Sequence, residues 1–247
     1  MDLPAAAGPD PASPEALFDR VLTADPGAPL LTFYDDSTGE RAELSAKSLG
    51  NWVAKTHFLL LDGLGLGVGE QAAVRLPVHW LVAPVLLGCW FAGLEVLSDP
   101  AGPVPVGFAD AGSLAERPLP VEELYAVSLL SMARPDVPPP GAEDFTSSVR
   151  PMPDAWPGVR AQAGPSDPGL DGASRAELVA AARAAAGELG LAEGGRLLWT
   201  GAGTGPADWT RWLLAPLAVG GSVVLVRNPD PAKYRQRATS ERVTARH

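Results

Sequence analysis

The chain has 247 residues, a formal net charge of −10 and hydrophobic side chains at 46% of its positions. At about 150 residues per domain, this length predicts one or two domains and a sizeable core without disulfides. The acidic balance argues against nucleic acid as a partner, because binding its phosphates requires a basic face. Cys89 is the only cysteine, so no intrachain disulfide can form, and with so few histidines no Cys/His metal site is predicted.

Neither a leader nor a membrane span is predicted. The N-terminal stretch Met1–Asp10 is acidic and rich in proline and alanine, unlike the basic and then apolar start of a signal peptide. The longest apolar run, Trp80–Leu94, is shorter than the ~20 residues that a spanning helix needs, and its length favours a buried core helix. The sequence therefore predicts a cytoplasmic protein without membrane association.

Helices and strands alternate in the first part of the chain. Ser13 is the predicted N-cap of a first helix, with Pro14 in its first turn, and Ser45 is the N-cap of a second helix that ends at Gly63. The apolar run 80–94 predicts a helix covered by protein on all sides. Apolar runs bounded by turn residues predict strands at 30–34, 41–44, 71–76, 96–97, 104–109 and 124–129.

A change of composition divides the chain. Prolines punctuate residues 133–171, which are predicted to form a long irregular connection. Beyond it, Ser174 and Glu177 form a capping box for a helix that ends at Gly190. Strands follow at 196–200 and 222–227, separated by a glycine-rich loop and a helix over 207–219. We therefore predict an α/β fold with a mostly parallel sheet flanked by helices, with residues 1–132 as a first lobe, 133–171 as the connection and 172–247 as a second βα lobe with a basic tail.

Short motifs in both predicted lobes resemble a known superfamily. Leu213–Val226 resembles the helix–glycine–strand unit after the phosphate loop of the acyl-adenylate-forming enzymes, which include acyl-CoA synthetases, peptide-synthetase adenylation domains and luciferases. The N-terminal part of that superfamily is matched in order by Glu43-Leu44, Gly67-Val68, Gly69-Glu70, Leu76-Pro77 and Ala92-Gly93. The resemblance is closest to short, truncated members of unassigned function from GC-rich bacteria. It implies the fold of the first portion of the superfamily's large domain.

The motifs with which that superfamily handles ATP are not found in this sequence. Its phosphate loop is replaced by 164–172, which reads GPSDPGLDG and carries two aspartates but neither lysine nor threonine. Such a loop repels a triphosphate. The Tyr-Gly-x-Thr-Glu and Thr-Gly-Asp motifs are missing too, and the sequence ends before the domain with the superfamily's catalytic lysine. Because one preorganised donor is worth about 2.7–4 kcal/mol, losing two lowers the rate more than about a thousandfold. The missing motifs imply that this chain has no catalytic residue and no cofactor. The alternative is that it binds ATP or AMP weakly.

One loop is a candidate for ligand binding. Glycines at 201–205 follow a strand and precede a helix, where backbone N–H groups suit an anion. Their spacing differs from Gly-x-Gly-x-x-Gly, so a flexible strand–helix turn is the alternative reading. Several tryptophans lie near the loop in the sequence. They are expected either to line a site for a small molecule or a partner, or to pack in the core. The candidate ligand-binding residues are Thr200, Gly201, Gly203, Thr204, Gly205 and Trp209.

His79 and the basic tail from Arg227 onward each allow a structural and a functional interpretation. His79 precedes the buried helix without a neighbouring serine or carboxylate, which favours a turn residue with a satisfied imidazole over a general base. From Arg227 onward six basic and two acidic residues give a net charge of +4, against −14 for the rest. This tail either docks on its own acidic body, pairs with another subunit, binds an acidic partner or forms a solvated helix.

These observations predict a non-catalytic relative of the AMP-forming ligases that acts through self-association or through another protein. One alternative is residual binding of ATP or acyl-adenylate at 201–205, with a partner that supplies the missing lysine. The other is a small-molecule carrier with a tryptophan-lined cleft.

Overall fold

A computed structural model describes residues 10–155, 163–201 and 205–247. The helices are α1 (Pro14–Ala24), α2 (Ala46–Phe58), α3 (Val82–Phe91), α4 (Ala111–Glu116), α5 (Phe145–Val149), α6 (Arg175–Glu188), α7 (Pro206–Trp209), α8 (Ala215–Ala218) and α9 (Tyr234–Ser240). The strands are β1 (Pro29–Asp35), β2 (Glu40–Ser45), β3 (Gln71–Arg75), β4 (Glu95–Leu97), β5 (Val104–Ala109), β6 (Val121–Ala126), β7 (Glu143–Asp144), β8 (Pro168–Leu170), β9 (Ala173–Ser174), β10 (Arg196–Trp199), β11 (Ser222–Arg227) and β12 (Ala245–Arg246). A π-helical turn extends α2, and another joins α7 to α8.

The described strands form two mostly parallel sheets. The first sheet has the order β12-β10-β11-β1-β2, and only β2 runs antiparallel to its neighbour. The second sheet has the order β7-β6-β5-β3-β4-β8-β9, and only β9 is antiparallel. The predicted α/β fold class, with helices flanking mostly parallel sheets, is confirmed.

Local signals explain where the helices begin. The Ser13 hydroxyl accepts a hydrogen bond from the Ala16 N–H at the start of α1, and the Ser45 hydroxyl accepts one from the Ser48 N–H at the start of α2. The predicted capping box of Ser174 and Glu177 begins α6. Every residue of α3 is buried, which confirms the helix that was predicted to be covered on all sides.

A buried arginine joins distant parts of the chain in one core. Arg175, at the start of α6, is fully buried, and its guanidinium donates to the carbonyls of Trp90 in α3 (3.0 Å) and of Leu94 just beyond that helix (3.1 Å). It also pairs with the Glu15 carboxylate on α1 at 2.9 Å. Helices from both predicted lobes therefore pack together through this side chain.

The sheets also pair across the predicted lobes. In the first sheet, β1 pairs in parallel with β11, so that Phe33 lies beside Leu225. Part of the Pro-rich segment 133–171 has regular structure, because it holds α5, β7 and β8 and contributes the fully buried Phe145 to the core. The limits 1–132, 133–171 and 172–247 stay a prediction of domain organisation. The strand predicted over 124–129 begins earlier, at Val121, and ends at Ala126.

Candidate functional site

The predicted ligand loop begins at the carboxyl edge of the first sheet. Four parallel strands end there, β1 at Asp35, β10 at Trp199, β11 at Arg227 and β12 at Arg246. In open α/β sheets, ligands bind outside the carboxyl ends of the strands. The predicted ligand loop therefore begins at an edge of the sheet where this class of fold favours ligand binding.

The described members of the predicted set occupy different environments. The Thr200 hydroxyl donates to the backbone carbonyl of His247 at 2.8 Å, and the Thr200 N–H donates to the same oxygen at 3.2 Å. Gly201 lies so close to Trp199 that a Cβ would come within 2.8 Å of the indole ring. Gly205 is the N-cap residue of α7, and its carbonyl accepts from the Trp209 N–H at 3.1 Å.

The remaining predictions concern Gly203, Thr204 and the tryptophans. Gly203 and Thr204 lie outside the described residues. Trp209 is 1% exposed, and Trp199 and Trp212 are buried as well, so all three rings pack in the core. The ligand-binding role of the set stays a prediction.

Trp199 has a contact that sequence patterns did not indicate. The His247 ring stacks on the Trp199 indole with centroids 4.1 Å apart and an interplanar angle of 13°. The buried indole Nε1–H has no hydrogen-bond partner among the described residues. Because β12 and β10 are brought together only by the fold, no local signal could have found this pair.

His79 is a buried, neutral side chain. Its Nδ1 accepts a hydrogen bond from the Leu81 N–H at 3.3 Å, and its ring packs edge-on against Phe33 at a centroid distance of 4.8 Å. Burial, and to a smaller extent the positive charge of Arg227, lowers the pKa of the imidazole to about 3. Such a low pKa makes it a weak base at neutral pH, in agreement with the predicted turn residue. The imidazole is only half satisfied, however, because Nε2 has no partner in the described ranges.

In the segment 164–172, carboxylates of the chain itself bind backbone N–H groups. The Gly164 N–H donates to Asp167 at 2.6 Å, and the Gly172 N–H donates to Glu95 at 2.7 Å. Asp171 accepts from the backbone N–H and the hydroxyl of Ser98 at 2.9 and 2.7 Å. The N–H groups of Gly164 and Gly172 are therefore already bound to acidic side chains.

The basic tail docks on its own body. Arg237 forms a two-pronged pair with the buried Asp36 carboxylate at 2.6 and 3.1 Å, and Lys233 approaches the same carboxylate at 3.3 Å. Burial raises the pKa of Asp36, but the hydrogen bonds from Arg237 outweigh it and the pKa falls to about 2. Glu241 of the tail pairs with Arg196 of β10 at 2.8 Å. Of the predicted alternatives, intramolecular docking is the one that the structure contains.

A cavity of about 730 Å³ opens at the opposite edge of the first sheet, near the amino ends of β1 and β11. Its wall includes Arg20, which holds the carbonyls of Leu217 and Ala218 at 3.2 and 2.7 Å. None of the described residues predicted to bind a ligand lines it. The cavity is therefore separate from the described residues of the predicted ligand loop.

Within the described ranges, no group of three or more histidine, cysteine, aspartate or glutamate side chains could hold a metal ion. No helix in those ranges is both long enough and apolar enough to cross a bilayer.

Three solved structures share this architecture. They are an acyl-CoA synthetase from Brucella canis (TM-score 0.73, 17% identity, 98% of this chain), the acetoacetyl-CoA synthetase from Streptomyces lividans (0.71, 19%, 92%) and the anthranilate CoA ligase AuaEII in complex with anthranoyl-AMP (0.70, 16%, 98%). The chain spans half or less of each solved chain, at 48%, 41% and 50%. Its fold is that of the N-terminal part of the adenylate-forming enzymes, as the sequence motifs predicted.

A sequence relative defines the family more narrowly. The chain is 39% identical over 241 residues to a TIGR03089 family protein of Mycobacterium tuberculosis, with 93% of this chain and 95% of that protein covered. The chain belongs to the TIGR03089 family. No protein-family model matches it.

Proposed function

We propose that this chain is a non-catalytic member of the adenylate-forming fold, located in the cytoplasm, that acts by binding a protein partner. One observation carries the proposal. In the segment that corresponds to the phosphate loop, the N–H groups of Gly164 and Gly172 donate to the carboxylates of Asp167 and Glu95.

Electrostatics gives this observation its weight. A triphosphate would have to displace carboxylates that already hold the backbone donors, and it would then lie beside negative charges. At a separation of ~4 Å and an effective dielectric constant of ~20, two like charges repel by about 4 kcal/mol. No lysine between Lys55 and Lys233 offsets this repulsion.

Residual binding of ATP or acyl-adenylate at 201–205 is the second candidate function. The buried Nε1–H of Trp199, which has no partner among the described residues, favours it because a ligand with a hydrogen-bond acceptor would satisfy that group. In this alternative the chain contributes only part of a site, and a partner completes it.

Two measurements test the proposed function. ATP–pyrophosphate exchange is measured with a panel of aliphatic and aromatic acids, and Mg·ATP binding is measured by titration calorimetry. We expect background exchange and no heat of binding for the wild-type chain. Weak ATP binding that appears only in the Asp167→Asn/Asp171→Asn variant would support the electrostatic argument. Exchange above background, or stoichiometric binding of Mg·ATP by the wild type, would overturn the proposal.

A further inference from the structure

Residues 134–140, here called the proline strap, form a connection between β6 and β7 that is exposed except at the half-buried Pro138 and Pro139. The strap reads RPDVPPP and contains Pro135 and Pro138–Pro140. Val137, within it, is 89% exposed, and Met132, just before it, is 74% exposed. Large apolar side chains are therefore held in solvent next to a run of prolines.

The covalent structure of the strap sets its backbone conformation. Proline fixes φ near −65°, and a residue that precedes proline is driven into the extended region. One or both of these constraints apply to every strap residue except Asp136. Arg134 has φ −66° and ψ 132°, close to a polyproline II helix. With three residues per turn, Pro135 and Pro138 lie on the same face of such a helix.

Buried groups anchor the first part of the strap. On one side, Ala133 is fully buried, and its carbonyl accepts from the Arg150 guanidinium at 3.1 Å. Met132 and Ala133 hold left-handed φ values of 60° and 48°, a conformation that persists only where surrounding contacts enforce it. On the other side, the buried Asp144 carboxylate accepts from the Asp136 N–H at 3.2 Å. These contacts restrain the first part of the strap, which lowers the entropy cost of binding.

The hydrogen bonds of the strap favour one mode of recognition. Its three backbone N–H groups are satisfied internally, by the Ser131 carbonyl for Arg134 and by the carboxylates of Asp144 and Asp136 for the other two. The strap therefore has no row of donors with which to extend a partner's sheet. What remains exposed are Pro135, Pro140 and the side chains of Val137 and Arg134.

From this geometry we propose that the proline strap is the docking site for a partner protein whose groove is lined with aromatic side chains and reads polyproline II helices. Such grooves bind preformed Pro-x-x-Pro segments. The inference rests on the proposed function, because it names the surface through which the chain would bind its partner.

The test uses the full-length chain and defined probes. A ¹⁵N-labelled SH3 domain and a ¹⁵N-labelled WW domain are each titrated with the chain, and amide shifts in their aromatic grooves are followed. We expect groove shifts with at least one probe and at least a tenfold weaker affinity for the Pro135→Ala/Pro138→Ala variant. The matched control, Pro118→Ala/Pro120→Ala, changes two exposed prolines outside the strap and should bind like the wild type.

Circular dichroism first confirms that both variants are folded. Absence of groove shifts with both probes at millimolar chain, or shifts that persist in the strap variant, would overturn the inference. Pyrophosphate exchange is measured on the same samples. Active exchange would refute the proposed function whatever the titrations show, whereas missing groove shifts without exchange would refute only the role of the strap.

Discussion

Acidification below about pH 6.5 is expected to destabilise the fold through His79. In the folded chain the pKa of this imidazole is about 3, whereas an exposed histidine titrates near 6.5. Because the folded pKa is lowered, the stabilising contribution is complete above pH 6.5 and is lost as the pH falls toward 3. In that range the unfolded chain binds a proton that the folded chain excludes. Between pH 7.5 and pH 5 the linkage corresponds to a loss of about 2 kcal/mol.

The assay is urea unfolding of the wild type and of His79→Asn at pH 7.5 and pH 5. Asparagine keeps an acceptor for the Leu81 N–H but does not titrate, so the variant should lose much less stability on acidification. His247→Asn is the control for the same change of side chain at an exposed histidine. Equal losses in the wild type and in His79→Asn would refute the reasoning.

Three other predictions concern stability and are checked by urea unfolding at pH 7. Arg175→Met should cost about 3–5 kcal/mol, because it leaves the half-buried Glu15 carboxylate and the carbonyls of Trp90 and Leu94 without their partner. A loss below about 1 kcal/mol would contradict the role of this side chain. Asp36→Asn should lower the free energy of unfolding by about 2 kcal/mol above pH 4. The difference from the wild type should vanish as the pH falls through the lowered pKa of about 2, because protonation of Asp36 then removes the same charge. Gly88→Ala should lower the free energy of unfolding by about 1–3 kcal/mol, because the new Cβ would lie 2.5 Å from the Thr56 methyl group. The control is Gly187→Ala on α6, where the new Cβ meets no atom within 4 Å. That variant should stabilise the helix by ~0.5–1 kcal/mol.

Several features were predictable because their causes are local. The caps at Ser13, Ser45 and Ser174 act on N–H groups three residues away, and a continuous apolar run suffices to predict that α3 is buried. The chemistry of the 164–172 segment was also readable, since its aspartates and its lack of lysine are facts of composition.

Other features depend on which segments meet in space. The pairing of β1 with β11, the His247 ring on Trp199 and the docking of Arg237 on Asp36 all join residues far apart in the chain. No periodicity or capping signal encodes such partners, because hydrophobic patterning specifies only that a strand face is covered and not by which strand. The sequence by itself determined the capped starts of α1, α2 and α6, the burial of α3 and the acidic character of the segment 164–172. Tertiary structure alone decided that Glu95 binds the Gly172 N–H and that Arg237 of the basic tail pairs with Asp36, because both contacts depend on distances between atoms that only folding brings together.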